Sequence, residues 1–216
     1  MRQKIKALIF DFDGVLVDTE YTTFCFYKEL LPKYGFHLKE EDFKYKIGRK
    51  SIDFFKDVLK DKFDQKLVEK WIYLKRKAFK ENIKKYLKPV PGAFEFLEKV
   101  KNDFLLALAS QNEKPLIEKA VEVFDIRKYF KVILSLQDIK HKKPHPELYL
   151  KAAKKLNVSP KESIVFEDTI EGIEAAKKGG FKVICLTTSF SKKDLKDADL
   201  VIDSFSEIDP KTLKNF

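Results

Sequence analysis

The chain is short of several residue types, and each shortage closes off a class of protein. It holds two cysteines in 216 residues, Cys25 and Cys185, which excludes a disulfide framework or a cysteine-based zinc module. Both lie among apolar neighbours and read as buried, reduced thiols of a cytoplasmic protein. The three histidines are His37, His141 and His145. Their spacing does not make a metal site, and His141 and His145 read as loop residues. No long hydrophobic run exists: the longest, Leu105 to Ala109 with Phe104 before it, is far shorter than the roughly 20 apolar residues a membrane helix needs. Met1-Arg2-Gln3-Lys4 leads straight into an apolar strand, so no signal peptide is read. Arginine is also scarce, with Arg2, Arg49, Arg76 and Arg127 the only four, and the lysines alternate with acids. The net charge of +10 therefore does not form the clustered footprint of a nucleic-acid binder. Internal repeats and low-complexity segments are absent as well.

What remains is a charged surface rich in Lys and Glu, of the kind found on heat-adapted proteins, around a chain long enough for a core with a smaller insert. The stretch that organises it runs from Leu8 to Glu20. Ile5 to Phe10 is nearly all apolar, as in a strand buried on both faces. It ends abruptly in Asp11-Phe12-Asp13-Gly14. Two residues apart, Asp11 and Asp13 would point to opposite faces of an extended strand, so both serve one site only if the backbone turns, which Gly14 permits. A plain loop and helix cap would use the same residues.

From Leu16 to Leu87 only helical patterns are read: Thr19 to Tyr34, capped by Asp18 or Thr19, then Glu40 to Ile47, Ser51 to Lys60, and a long helix from Asp64 to Leu87. The aromatic stripe of that last segment, including Trp71 and Phe79, reads as core. Leu16 to Leu87 as a whole carries 18 Lys and Arg against 12 Asp and Glu, an excess able to attract anions at long range. After Pro89-Val90-Pro91-Gly92 the character changes. Strands expected at Phe104 to Ala109, Lys131 to Ser135, Ser163 to Glu167, Lys182 to Leu186 and Leu200 to Asp203 alternate with helices, which predicts an α/β fold with a doubly wound parallel sheet. The domains expected are an α/β core of residues 1–15 and 89–216 and a helical insert of residues 16–88. Pro210 to Phe216 reads as a loosely ordered end.

Chemistry-bearing residues recur at the expected strand ends. Ser110-Gln111-Asn112 offers a hydroxyl and amides where a helix should begin, suited to an anion or to a simple cap. His141-Lys142-Lys143-Pro144-His145-Pro146-Glu147 is a basic loop before a helix. Glu167-Asp168 ends the strand Ser163 to Phe166 and is followed by Gly172-Ile173 and Ala175-Ala176. Taken in order, Asp-Phe-Asp-Gly-Val-Leu, the Ser110 segment, Lys143-Pro144 and Glu167-Asp168 resemble the four motifs of the haloacid dehalogenase superfamily. An insert placed after the first motif is similar to the subgroup of β-phosphoglucomutase, phosphoglycolate phosphatase and sugar phosphatases.

That resemblance implies a phosphatase acting on a small phosphorylated metabolite as a monomer. Asp11 is then the nucleophile and Asp13 the general acid and base, while Lys143 and Ser110 hold the phosphate oxygens. It also implies Mg²⁺, held by Asp11, the Asp13 backbone carbonyl and Asp168, with Glu167 close by. Gln111, and Gly48 and Arg49 in the insert, are expected to touch substrate, and the insert to close over the site as a cap. Asp13 argues against a dehalogenase or a phosphonate hydrolase, which lack it. A mutase of the β-phosphoglucomutase kind would carry a histidine after the first motif, where Glu20-Tyr21-Thr22-Thr23 has none. It would also have an arginine three residues after a glycine, where Ser51 stands three after Gly48. A non-catalytic relative or a phosphoacceptor signalling domain is a further alternative; the first would not need every catalytic position filled, the second would not need the insert.

Overall fold

The computed structural model describes residues 4–45 and 51–216. The chain divides into two compact units, Met1–Val17 with Pro89–Phe216, and Asp18–Lys88. Its first half contains β1 (Ala7–Phe10), β2 (Val17–Asp18), α1 (Glu20–Leu30), α2 (Ser51–Leu59), α3 (Gln65–Glu81), α4 (Ile83–Tyr86) and β3 (Lys88–Pro89). The second half runs α5 (Ala93–Val100), β4 (Leu105–Ala109), α6 (Lys114–Val123), β5 (Val132–Leu134), α7 (Glu147–Leu156), β6 (Ser163–Glu167), α8 (Ile170–Lys178), β7 (Lys182–Leu186) and β8 (Leu200–Ile202).

The larger unit is built on a six-stranded sheet in the order β5-β4-β1-β6-β7-β8, every pair parallel. Helices cover both faces, which is why the strands read as continuous apolar runs. Alternation within β1 assigns the faces. Ala7 and Ile9 belong to a cluster with Ala107, Ala109, Val165, Val183 and residues of α7 and α8 such as Leu148, Ala152 and Ile173. The small alanines on both sides let α7 approach the sheet closely. Phe10 points the other way, stacked on Phe166 with ring centroids 4.7 Å apart and meeting Phe96 and Phe130 edge-on. Such pairs add about 0.5–1.5 kcal/mol each beyond their burial.

Chain direction fixes where a site can form. From β1 the chain moves outward to β4 and β5, then returns to the other side of β1 for β6, β7 and β8. The switch lies between β1 and β6, and open parallel sheets bind ligands outside the carboxyl ends of the strands at such a point. Phe10 pairs with Phe166, so the next residues out are Asp11 and Glu167.

The unit Asp18–Lys88 is helical, and its core is aromatic. Phe54, Phe55, Trp71 and Phe79 are buried, with Trp71 meeting Phe36 and Phe55, and Phe26 meeting Phe79 and Tyr86. Asp64 caps α3, accepting from the Leu67 N–H at 2.9 Å. The stripe is thus packing, as its helical spacing predicts.

Several local expectations change. The long helix breaks at Asn82, whose φ of −131° and ψ of 59° leave the helical region before α4 restarts. The first helix tightens to a 3₁₀ turn at Leu31–Tyr34, and Asp18, accepting from Tyr21 N–H, supplies its side-chain cap. Two-residue strands at Val17–Asp18 and Lys88–Pro89 pair where no strand pattern is read, being too short to carry one. The carboxyl terminus is held: Leu213 is buried and the Lys214 carbonyl accepts from Ile5 N–H at 3.1 Å. Both cysteines are free, but Cys25 is only half-buried while Cys185 is buried.

Candidate active site

The β1 terminus folds back on itself. The N–H groups of Leu16 and Val17 both donate to the Phe12 carbonyl, and the Gly14 N–H donates to Val17 O at 2.7 Å. Gly14 sits at φ 68°, and a Cβ there would lie 1.7 Å from Asp168 Oδ2. Only glycine satisfies both the turn and the close approach. The turn allows Asp11, which is buried, and Asp13, which is half-buried, to lie at the same strand end.

Lys143 reaches this point from the loop before α7. Its Nζ is 3.1 Å from Asp11 Oδ2 and also ion-pairs with Glu167 Oε1, and its side chain is 8% exposed. Burial alone would lower the lysine, but the charges of Asp11 and Glu167 outweigh it and hold Lys143 protonated well beyond its usual range. Tyr149, buried on α7, donates its hydroxyl to the same Glu167 oxygen, and the Lys143 ammonium lies 5.3 Å from its ring centre. The other Glu167 oxygen accepts from the N–H groups of Asp168 and Thr169 and from the Thr169 hydroxyl. Burial opposes ionisation of Glu167, yet Lys143 and these donors keep its carboxyl below the ordinary range. Glu167 is an anionic bracket for Lys143 and for the strand exit. Gly172 makes room for it, since a Cβ at that position would come within 1.9 Å of its carboxylate.

Asp168 is held by the loop after β7. Ser189 donates to Asp168 Oδ2, and the Thr188 hydroxyl donates to the Gly14 carbonyl at 2.5 Å, tying that loop to the β1 turn. Burial, reinforced by Glu167 and Asp11, pushes the Asp168 carboxyl well up. Burial likewise raises Asp11 to about 7, Lys143 opposing and Glu167 and Asp13 adding.

Three carboxylates are thus crowded around a single lysine. Asp11, Glu167 and Asp168 each offer an oxygen within 4.8 Å of the others. Asp11 Oδ1 and Asp168 Oδ1 are buried and have no hydrogen-bond partner among the described residues. Unpaired buried carboxylate oxygens are costly, and an all-oxygen donor set of this kind fits a hard divalent cation. Glu167 differs, because its two oxygens already accept five hydrogen bonds.

Ser110 directly follows β4 and is fully buried. It does not cap a helix, since α6 begins only at Lys114 after an N-cap at Glu113. Its Oγ instead accepts from Asn112 N–H at 3.0 Å. That turn aims Asn112, whose side-chain amide donates to Asp13 Oδ2 at 2.5 Å. Gln111 is half-buried, and its Nε2 has no partner among the described residues. Gly48 and Arg49 lie outside the described residues. The structure brings Asp11, Lys143, Glu167 and Asp168 together; Asn112, read in the sequence only as an amide for an anion, and Tyr149, Thr188 and Ser189, not read as site residues, support them. Single polar residues of this kind give no pattern until the chain is folded.

A buried carboxylate pair at adjacent strand ends, a buried lysine between them and a hydroxyl on the neighbouring strand are a phosphoryl-transfer constellation on a doubly wound sheet. The family of haloacid dehalogenase-like hydrolases matches residues 8–186, and the chain belongs to it. It is thus an enzyme of a hydrolase family, and relatives of this chain are named as phosphatases. It is 35% identical to the phosphorylated carbohydrates phosphatase of Thermotoga maritima over 83% of this chain and 84% of that one. It is 28% identical to the phosphoglycolate phosphatase of Aquifex aeolicus, covering 94% and 95%. The structure of β-phosphoglucomutase from Clostridium difficile superposes with a TM-score of 0.69 at 27% identity, covering 95% and 93%. No helix of the described residues is long and apolar enough to cross a membrane.

Proposed function

We propose that this enzyme hydrolyses a phosphorylated carbohydrate or similar small metabolite monoester, as a monomer, through an aspartyl phosphate on Asp11. The observation that carries this reading is the position of Lys143 Nζ 3.1 Å from Asp11 Oδ2 while Asp11 Oδ1 and Asp168 Oδ1 stay unpartnered. A carboxylate oxygen of Asp11 attacks phosphorus and the ester P–O bond breaks. Asp13, oriented by Asn112, gives its proton to the departing alkoxide. Asp13 then takes a proton from water, which attacks the phosphorus of the aspartyl phosphate, releasing inorganic phosphate and restoring Asp11. Lys143 and Ser110 donate to the phosphate oxygens throughout. Mg²⁺, held by Asp11, Asp168 and the Asp13 carbonyl, with Glu167 bracketing them, supplies neutralisation of the phosphate charge. The unit Asp18–Lys88 acts as a cap that selects the non-phosphate part of the substrate.

The carbohydrate reading rests on the name of the Thermotoga relative. A second reading, a mutase, is favoured by the similarity to β-phosphoglucomutase. Against it, α1 opens with Glu20-Tyr21-Thr22-Thr23 and no histidine. The test is release of phosphate from p-nitrophenyl phosphate and from a panel of sugar phosphates and phosphoglycolate, with Mg²⁺ and with EDTA. Cation-dependent release supports the phosphatase. Interconversion of β-glucose 1-phosphate and glucose 6-phosphate without net phosphate release identifies a mutase, and no turnover of any ester refutes both.

A further inference from the structure

Outside the carboxylate site, the loop that carries Lys143 brings together three residues that sequence reasoning leaves apart. His141 and His145 stand two positions either side of Lys143, with ring centres 4.5 Å apart and planes inclined by 35°. His141 Nδ1 lies 3.1 Å from Glu147 Oε2. His145 Nδ1 faces the Glu147 N–H at 3.2 Å. Each of the three residues offers a ligand atom within 4.8 Å of the others. The Glu147 carboxylate is fixed by the backbone, accepting from Lys140 N–H at 3.0–3.1 Å and from His141 N–H at 2.8 Å.

We propose that His141, His145 and Glu147 form a second, exposed cation site for a borderline transition metal such as Zn²⁺. Zinc bonds of about 2.0–2.1 Å in a tetrahedron put neighbouring ligand atoms roughly 3.3 Å apart, and the imidazole–carboxylate spacing of 3.1 Å already has that edge. Two imidazoles and one carboxylate are also a donor set zinc uses with an open fourth position. The chemistry separates this site from the other. Hard cations favour the all-oxygen cluster of Asp11 and Asp168, whereas imidazole selects zinc, nickel or copper. Lys151 opposes binding, but it holds the other Glu147 oxygen, Oε1, at 3.3 Å, and the flanking Lys140 and Lys142 are exposed and screened by salt. The site is therefore weaker than a structural zinc site. Occupancy clamps the segment His141–Glu147, which has Lys143 at its centre, so metal bound here restrains the lysine that faces Asp11.

The presence of only three histidines in the chain makes the test direct. Zn²⁺ is titrated into the protein with Mg²⁺ in large excess, while the imidazole ¹H–¹⁵N signals are followed by NMR and heat is followed by calorimetry. The expected result is one saturable equivalent at micromolar Zn²⁺, with the His141 and His145 signals moving together and that of His37 unmoved. The double variant His141→Ala/His145→Ala is expected to lose the equivalent while retaining Mg²⁺-supported hydrolysis, and Asp168→Asn to keep it. Binding that survives the double histidine variant, or that disappears in Asp168→Asn, places Zn²⁺ at the carboxylates and overturns the proposal. Histidine signals that do not move, or three that drift without saturation, overturn it as well.

Discussion

Replacing Asp11 should stabilise the metal-free fold, and by an amount that depends on pH. Asp11 has its carboxyl raised from 3.8 to about 7 by burial, against the pull of Lys143. A shift of about 3 units at 1.36 kcal/mol each corresponds to about 4 kcal/mol. The sign follows from proton uptake: between pH 3.8 and about 7 the folded state holds a proton on Asp11 that the unfolded state has released, so stability falls as pH rises through that window. The contribution is fully present below pH 3.8 and gone above 7. Asp11→Asn removes the ionisable group, leaving Lys143 its pair with Glu167. At pH 8 in EDTA the variant should be more stable than the parent by up to about 4 kcal/mol, which for a chain of this size is a Tm higher by up to roughly 8–16 °C. At pH 4.5 the gain should shrink to little. Saturating Mg²⁺ should favour the parent again, because the amide gives up a ligand charge. Urea or thermal unfolding at the two pH values, with and without Mg²⁺, measures all of this. A variant less stable than the parent at pH 8 without cation, or a gain that does not grow with pH, refutes the view that Lys143 only partly offsets the burial of Asp11.

The same Asp11→Asn protein should have no turnover. Asp13→Asn should lose about 10²–10⁴-fold in kcat, least in phosphoenzyme formation from esters with good leaving groups, and Asn112→Ala should follow the same leaving-group trend at up to about 10–100-fold, the worth of one hydrogen bond to a charged group; burst kinetics over a leaving-group series would expose a flat dependence. Gly172→Ala puts a Cβ 1.9 Å from the Glu167 carboxylate and should cost about 1–3 kcal/mol, read as a lower urea midpoint, with an unchanged midpoint counting against the close approach. Arg49→Ala should lower kcat/KM for the preferred sugar phosphate far more than for p-nitrophenyl phosphate, and a uniform loss would assign Arg49 to phosphate binding.

The sequence by itself determined the alternation that builds the parallel sheet, the helical insert, the strand ends where Asp11, Ser110 and Glu167-Asp168 sit, and the loop before a helix that carries Lys143. These are written locally: an apolar run closing in acids, or a glycine after a paired acid, is visible within ten residues. The aromatic helices of the insert are legible for the same reason, since 3.6-residue spacing survives without tertiary information. Their boundaries are less so, because one Asn at position 82 weighs little against a periodic stripe of twenty residues. Only the tertiary structure decided which carboxylate is spent and which is free. Glu167 and Asp168 are adjacent and chemically alike, yet Glu167 is saturated by Lys143, Tyr149 and the backbone, while Asp168 keeps an unpartnered oxygen. It also decided that Asn112 meets Asp13 across 99 positions of chain, and that Ser189 reaches Asp168 from 21 residues away. Parallel strand register brings such residues together, and register is fixed by packing of both buried faces, a property no short stretch of the chain contains.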